Sequence, residues 1–230
     1  MVHPYREYDK HFVAVDVIIF GFDKANKLKL LVIRRDFQPE RNKWSLMGGF
    51  LREGETMDAA AERILKELTG LENIYLEQIA AYGDLQRDSA ARVISIAYYA
   101  LINSEKFDDS YESSYQGRWF TLEEIPSLIF DHNVMVEKAL RRLRRRCRTQ
   151  PVGLELLPEK FTLPQLLKLY EAIYQQDFDK RNFRKKILSN GVLVRLDEKN
   201  MLGSKKGAFL YRFDKKKYNE LVDRGLRFEI

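Results

Sequence analysis

Cysteine occurs once in this 230-residue chain, as Cys147, so no internal disulfide can form. With three histidines beside that thiol, no Cys/His grouping has the spacing of a zinc site. Cys147 sits inside RRLRRRCR without a neighbouring histidine and reads as a helix-face residue rather than a nucleophile. No run approaches the roughly 18 uncharged apolar residues of a membrane helix. The opening MVHPYREYDKHF lacks the apolar centre of a signal peptide, so a cytoplasmic location is expected. Internal repeats and low-complexity stretches are also missing.

What is present begins with 45% hydrophobic residues, enough for a real core. Net charge is +6, but its distribution says more than its sum. Residues 1–136 carry 16 basic against 22 acidic side chains, whereas residues 137–230 carry 24 against 12. Opposite signs in the two parts suggest that the C-terminal part meets a polyanion, with nucleic acid first and an anionic membrane surface second.

HFVAVDVIIFGF and KLKLLVIRRDF are β-branched and apolar and are separated by the turn-like DKAN, which predicts paired strands. NKWSLMGGFL adds a short strand running into glycines. From Thr56, a capping residue, the pattern turns helical, with Ile64, Leu65 and Leu68 at three-to-four spacing until Gly70. Two further strands, IYLEQIAAYG and RVISIAYYALI, precede RWFTLEEIP and a helix from about Asp131 through the arginine run. Residues 1–150 therefore form an α+β domain.

The proline-bearing RTQPVGLELLPEKF marks a boundary, and residues 151–230 form a second domain. Leu163, Leu166, Leu167, Tyr170, Ile173 and Tyr174 share one helical face. A second helix starts at the cap Asp179 and stops at Gly191, a glycine suited to left-handed backbone. VLVRLD and AFLYRFD are strand-like, joined by the lysine-bearing EKNMLGSKKG, and a closing helix follows. Helix, helix and basic-tipped hairpin is the order of a winged helix-turn-helix.

Gly49, Glu55, Arg63, Leu65, Glu67, Gly70 and Leu71 stand at the spacing of the Nudix box, and this stretch resembles that family. Seven of its nine specified positions match, and both misses replace glutamates. Positions 64, 67 and 68 share one helix face, where three carboxylates could hold a hard divalent cation. In Nudix hydrolases that cluster binds the magnesium that polarises a diphosphate. Here the face offers Ile64, Glu67 and Leu68, and neither Glu62 nor Asp58 is a simple substitute. The remaining matches have a structural role: Gly48 and Gly49 permit the loop's turn, and Arg63 bonds loop carbonyls or Glu55. The box reads as a scaffold with a pocket behind it.

Asp16 interrupts an apolar strand, and a buried carboxylate costs several kcal/mol unless it is paired. It either pairs internally or accepts hydrogen bonds from a polar ligand. Arg34 and Arg35 close the second strand, Lys43 and Trp44 precede the glycines, and GDLQRDSAAR supplies Arg87, Asp88 and Arg92. As a group these favour a sugar or nucleotide-sugar. The candidate effector site is Asp16, Arg34, Lys43, Trp44, Gly49, Glu67 and Arg87, with no catalytic residue, no cofactor and no metal, Glu67 being vestigial.

In DKRNFRKKILSN, Phe183, Ile187 and Leu188 can pack inward, leaving Lys180, Arg181, Asn182, Arg184 and Lys185 outward. Arginine reads guanine and asparagine reads adenine in a major groove, and both cation types neutralise phosphates. Lys199, Lys205 and Lys206 on the hairpin tip reach a neighbouring backbone or minor groove. The run KALRRLRRRCR admits three readings: an exposed helix end, a phosphate contact, or a surface for acidic residues of a second subunit.

Taken together, a degenerate Nudix domain and a basic winged helix resemble the Nudix-related transcriptional regulators of the NrtR family. The resemblance implies a Nudix-like mixed-sheet α/β/α sandwich followed by a winged helix, in a homodimer that binds double-stranded operator DNA and responds to a small effector, without membrane attachment. Branches of that family respond to ADP-ribose or to a pentose. With two acidic positions apolar, the L-arabinose branch is expected and ADP-ribose comes second. The competing expectations are a magnesium-dependent hydrolase of ADP-ribose or a related nucleoside diphosphate, and an RNA-binding module.

Overall fold

The computed structural model describes residues 4–103, 117–151, 154–201 and 206–225. Its centre is β1 (Phe12–Phe22), whose residues from Val15 to Phe22 are all buried. β1 pairs antiparallel with β2 (Leu28–Arg34) and with β4 (Met47–Phe50), and parallel with β6 (Val93–Asn103). β5 (Tyr75–Tyr82) lies antiparallel beyond β6. β3 (Trp44–Ser45) and β7 (Gly117–Thr121) pair with β2. Among the described residues this makes a 7-stranded mixed sheet.

Alternation along β1 sends successive side chains to opposite faces. Val15, Val17 and Ile19 meet Ala60, Ala61, Ile64 and Leu65 of α1 (Met57–Thr69) on one side. Ile18, Phe20 and Phe22 face Met135, Val136, Ala139 and Leu143 of α2 (His132–Thr149) on the other. The sheet is thus sandwiched between helices, as expected. Thr56 caps α1 by accepting from Ala59 N–H at 3.1 Å, and Gly70 ends it at φ 64°.

The second apolar cluster does not stop at α2. It continues through Leu143 and Cys147 into Phe161, Leu166, Leu167, Tyr170 and Ile173. These belong to β8 (Phe161–Thr162) and α3 (Leu163–Tyr174), which opens with a capping box between Thr162 and Gln165. α4 (Lys180–Ser189) is capped by Asp179 and buries Phe183 and Ile187 against Tyr170. Strands β9 (Leu193–Asn200) and β10 (Ala208–Phe213) complete a small sheet of order β8-β10-β9, and α5 (Lys215–Asp223) follows. This is a winged helix-turn-helix. Cys147 is fully buried and its thiol is pushed up to about 12 by desolvation, so it is a packing residue.

One expectation about the glycines is corrected. Gly48 and Gly49 do not make a turn; they lie inside β4, opposite Asp16 and Val15 of β1. A methyl group at Gly48 would collide with the Asp16 carboxylate and sit 3.2 Å from the Val15 carbonyl, whereas one at Gly49 would meet only the Ile64 side chain at 3.3 Å. Gly48 is there to leave room for a buried carboxylate. Gly48→Ala is expected to lower unfolding free energy by about 1–3 kcal/mol, the usual range for overpacking. Gly49→Ala, facing a side chain that can rotate, should cost less in the same denaturant titration.

Candidate effector cleft and nucleic-acid interface

Asp16 lies in the middle of β1, facing the start of α2, and only 6% of it is exposed. Its Oδ2 accepts a hydrogen bond from Ser95 Oγ at 2.5 Å. Arg87 Nη2 stands 3.6 Å and His132 Nε2 3.7 Å from the same oxygen. Arg87 is itself held by Asp131, which accepts from Nε at 3.1 Å and Nη2 at 2.8 Å. The carboxylate is therefore partnered internally. His132 Nδ1 accepts the Leu46 N–H at 3.1 Å, which leaves the proton on Nε2, toward Asp16. Burial holds His132 below its ordinary pKa, outweighing the opposing pull of Asp16, so the ring is neutral.

Above this floor is a cavity of about 110 Å³, walled by Arg34, Arg35, Phe37, Gly49, Phe50, Asp88 and Phe130. Of the residues expected at the effector site, Asp16, Arg34, Gly49 and Arg87 line it. Lys43, Trp44 and Glu67 lie outside its walls. Lys43 forms an ion pair with Glu40. The Trp44 ring packs edge-on to Phe120 at 5.2 Å and carries the Arg34 guanidinium at 4.8 Å. Sequence reasoning missed Phe130 and His132, which line the cleft, and Ser95 and Asp131, which bond Asp16 and Arg87 across long sequence separations.

Glu67 is engaged by Arg52 at 3.1 Å and by Arg63 at 3.2 Å. Arg63 also donates to Glu55 at 2.6 Å and to the Phe50 carbonyl at 3.0 Å. Its hydrogen bond brings Glu55 down to about 2. Beside this network Ile64 is 2% exposed and belongs to the core. A magnesium ion requires oxygen donors, and the face that would supply them presents two aliphatic side chains, Ile64 and Leu68, and a carboxylate tied to two guanidinium groups. Among the described residues no cluster of three or more acidic, histidine or cysteine side chains is placed to hold a metal. The residues present do not fit the ion.

At the other end of the molecule, Lys180, Arg181, Asn182, Arg184 and Lys185 are all exposed on α4, opposite buried Phe183 and Ile187. Lys206 is exposed beside the hairpin tip, and Lys205 lies outside the described residues. Arg195 and Lys199 on β9 both sit 4.7 Å from the Phe209 ring centre. In the arginine run of α2, Arg141, Arg145 and Arg148 are exposed and the other three brace the interior. Arg142 binds Glu77 at 2.9 Å, and Arg146 pairs with Glu77 and Tyr99. Arg144 donates to the Ile173 carbonyl at 2.7 Å and to Gln175 at 2.6 Å.

A NUDIX domain is recognised over residues 10–143 and an NrtR DNA-binding winged helix domain over residues 153–213. The ADPR responsive transcriptional repressor NtrR of Acinetobacter baylyi is 33% identical over 226 residues, covering 96% of this chain and 90% of its own. The chain belongs to the NrtR family. Shewanella oneidensis NrtR, solved with a 27mer DNA, superposes with a TM-score of 0.80 at 26% identity, covering 90% of this chain and 95% of that one. The ADP-ribose pyrophosphatase of Methanocaldococcus jannaschii shares 34% identity over 140 residues, which is 60% of this chain and 78% of that enzyme. Within the NrtR family the expected preference for L-arabinose finds no support in these relatives, whose names point to ADP-ribose. No helix among the described residues is long and apolar enough to cross a membrane.

The buried imidazole makes stability depend on pH with a definite sign. Because the folded pKa of His132 lies below its unfolded value near 6.5, the unfolded chain takes up the proton first. Stability is full above pH 6.5 and declines as pH falls through that value, by up to about 1.4 kcal/mol per unit for one group. His132→Asn, whose amide oxygen can still accept the Leu46 N–H, is expected to flatten this slope in thermal melts between pH 7.5 and 5.

Proposed function

We propose that the chain is an operator-binding repressor in which residues 1–150 bind ADP-ribose and residues 151–230 read double-stranded DNA. The observation that carries the reading is the exposed cationic face of α4, held by a packed winged helix like the one recognised in DNA-binding relatives. Lys180, Arg181, Asn182, Arg184 and Lys185 enter a major groove, and Lys205 and Lys206 approach the flanking backbone. A homodimer places two such helices in successive grooves of a palindromic site.

ADP-ribose replaces L-arabinose as the effector, supported by the A. baylyi repressor across nearly the whole chain. The cavity of about 110 Å³ encloses only part of a nucleotide-sugar, since ligand sites usually exceed roughly 300 Å³. The rest lies along a rim where Phe37 and Phe50 are each about half exposed. The effector acts through unequal affinity for two dimer geometries. α2 is the connecting part, because His132 at its start borders the cleft and Asp131 before it holds Arg87, while Arg144 and Tyr174 join its end to α3.

A gel-shift titration with the upstream region of the chain's own operon tests the reading. ADP-ribose is expected to release the DNA, L-arabinose to leave it bound, and Arg184→Ala to weaken binding at least tenfold, in line with about 1–3 kcal/mol per base contact. Arg184→Ala binding as tightly as the parent chain defeats the recognition-helix assignment. The enzymatic reading draws on the M. jannaschii relative. Magnesium-dependent release of AMP from ADP-ribose, abolished by Glu67→Gln, would establish it; no turnover above background is expected.

A further inference from the structure

Three arginines line the cleft, and two of them are already occupied. Arg87 is bidentate to Asp131 and faces Asp16. Arg34 donates to the Asn42 carbonyl at 3.2 Å and lies over Trp44. Arg35 differs. Among the described residues its guanidinium makes no salt bridge, and its Nε is buried with no hydrogen-bond partner. Orphaned buried donors are rare in folded proteins because each forfeits its hydration.

The group is nevertheless held in place. Its guanidinium carbon stands 3.8 Å from the centre of the Phe37 ring and 5.7 Å from that of Phe130. A planar cation packed over an aromatic face leaves its N–H edges free to form two parallel bonds in the plane. Asp88, Asp16, Asp36 and Glu40 act on it through space, and desolvation outweighs them, drawing Arg35 below its ordinary pKa. Among the described residues none of these carboxylates forms an ion pair with it.

We propose that Arg35 is the oxyanion-binding residue of the cleft, taking the phosphoryl oxygens of the effector on its free guanidinium edge while Phe37 fixes its plane. This rests on the reading of ADP-ribose as effector and assigns the diphosphate to one side chain. It also supplies a chemical reason for preferring a phosphorylated ligand to a neutral pentose. A neutral sugar would leave a partly desolvated guanidinium without a directly bonded anion, and a diphosphate provides one.

The test is calorimetric titration of the full chain and of Arg35→Gln, Arg35→Lys and Phe37→Ala with ADP-ribose and, separately, with inorganic pyrophosphate. Thermal melts accompany each variant to show that it is folded. Arg35→Gln is expected to weaken ADP-ribose binding at least 30-fold and to abolish pyrophosphate binding. Arg35→Lys, which keeps the charge and loses the fork, should retain a part of each, and Phe37→Ala should weaken both several-fold. A folded Arg35→Gln that binds ADP-ribose within threefold of the parent chain overturns the inference and leaves the effector reading intact. Pyrophosphate binding that depends on Arg35, with no binding of ADP-ribose, supports the oxyanion site and defeats the effector reading. A parent chain that binds neither overturns both.

Discussion

A carboxylate buried inside the sheet is the constraint from which the cleft follows. Removing Asp16 from water without partners would cost several kcal/mol, and each partner imposes a position on another element. Ser95 fixes the register of β6 against β1, which their parallel ladder carries from Phe12 and Val93 to Phe22 and Asn103. Gly48 must lack a side chain so that β4 can lie beside the acid. Arg87 approaches Asp16 and then requires Asp131, which sets where α2 begins. The cleft is the space left when four segments converge on one charge.

α2 carries that constraint across the molecule. Its 18 residues span roughly 27 Å at 1.5 Å per residue. The first turn is fixed by Arg87 and by the Leu46 N–H on His132, and the last turns are fixed by Glu77 on the sheet and by Ile173 and Tyr174 of α3. Within the arginine run, Arg142, Arg144 and Arg146 serve the interior of the chain itself, while Arg141, Arg145 and Arg148 are exposed. Arg144 supplies a donor to a carbonyl in the last turn of α3, where the helix leaves such groups unpaired. A shift at one end of so braced a helix has few places to be absorbed before it reaches the DNA-reading end.

Much of the fold was legible because local chemistry specifies it. Thr56 and Asp179 are capping residues followed by apolar periodicity, and they cap α1 and α4. The α4 cations were legible for the same reason, since Phe183 and Ile187 at four-residue spacing leave only one face for them. The cleft was legible in part. Asp16 announces itself as an acid among β-branched residues, but its surroundings come from bonds spanning 79 residues to Ser95 and contacts with Arg87 and His132. Such contacts leave no period in the sequence. Trp44 illustrates the opposite error: an aromatic beside the glycine motif suggested a ligand platform, yet its ring is used against Phe120 and Arg34.

The aliphatic residue at position 64 also has a packing explanation. Ile64 at 2% exposure is a wall of the core between α1 and β4, within van der Waals reach of where a side chain on Gly49 would stand. An aliphatic residue there contributes about 1.5–3 kcal/mol by burial. An ionised carboxylate in the same place would need a cation or solvent to offset its desolvation. Beside Ile64, Glu67 is paired with Arg52 and Arg63, and the same Arg63 anchors Glu55 and the Phe50 carbonyl. The loop-helix unit thus keeps its shape through arginine rather than through magnesium. That shape holds Gly48 against Asp16, so the same loop-helix unit also sets the floor of the cleft.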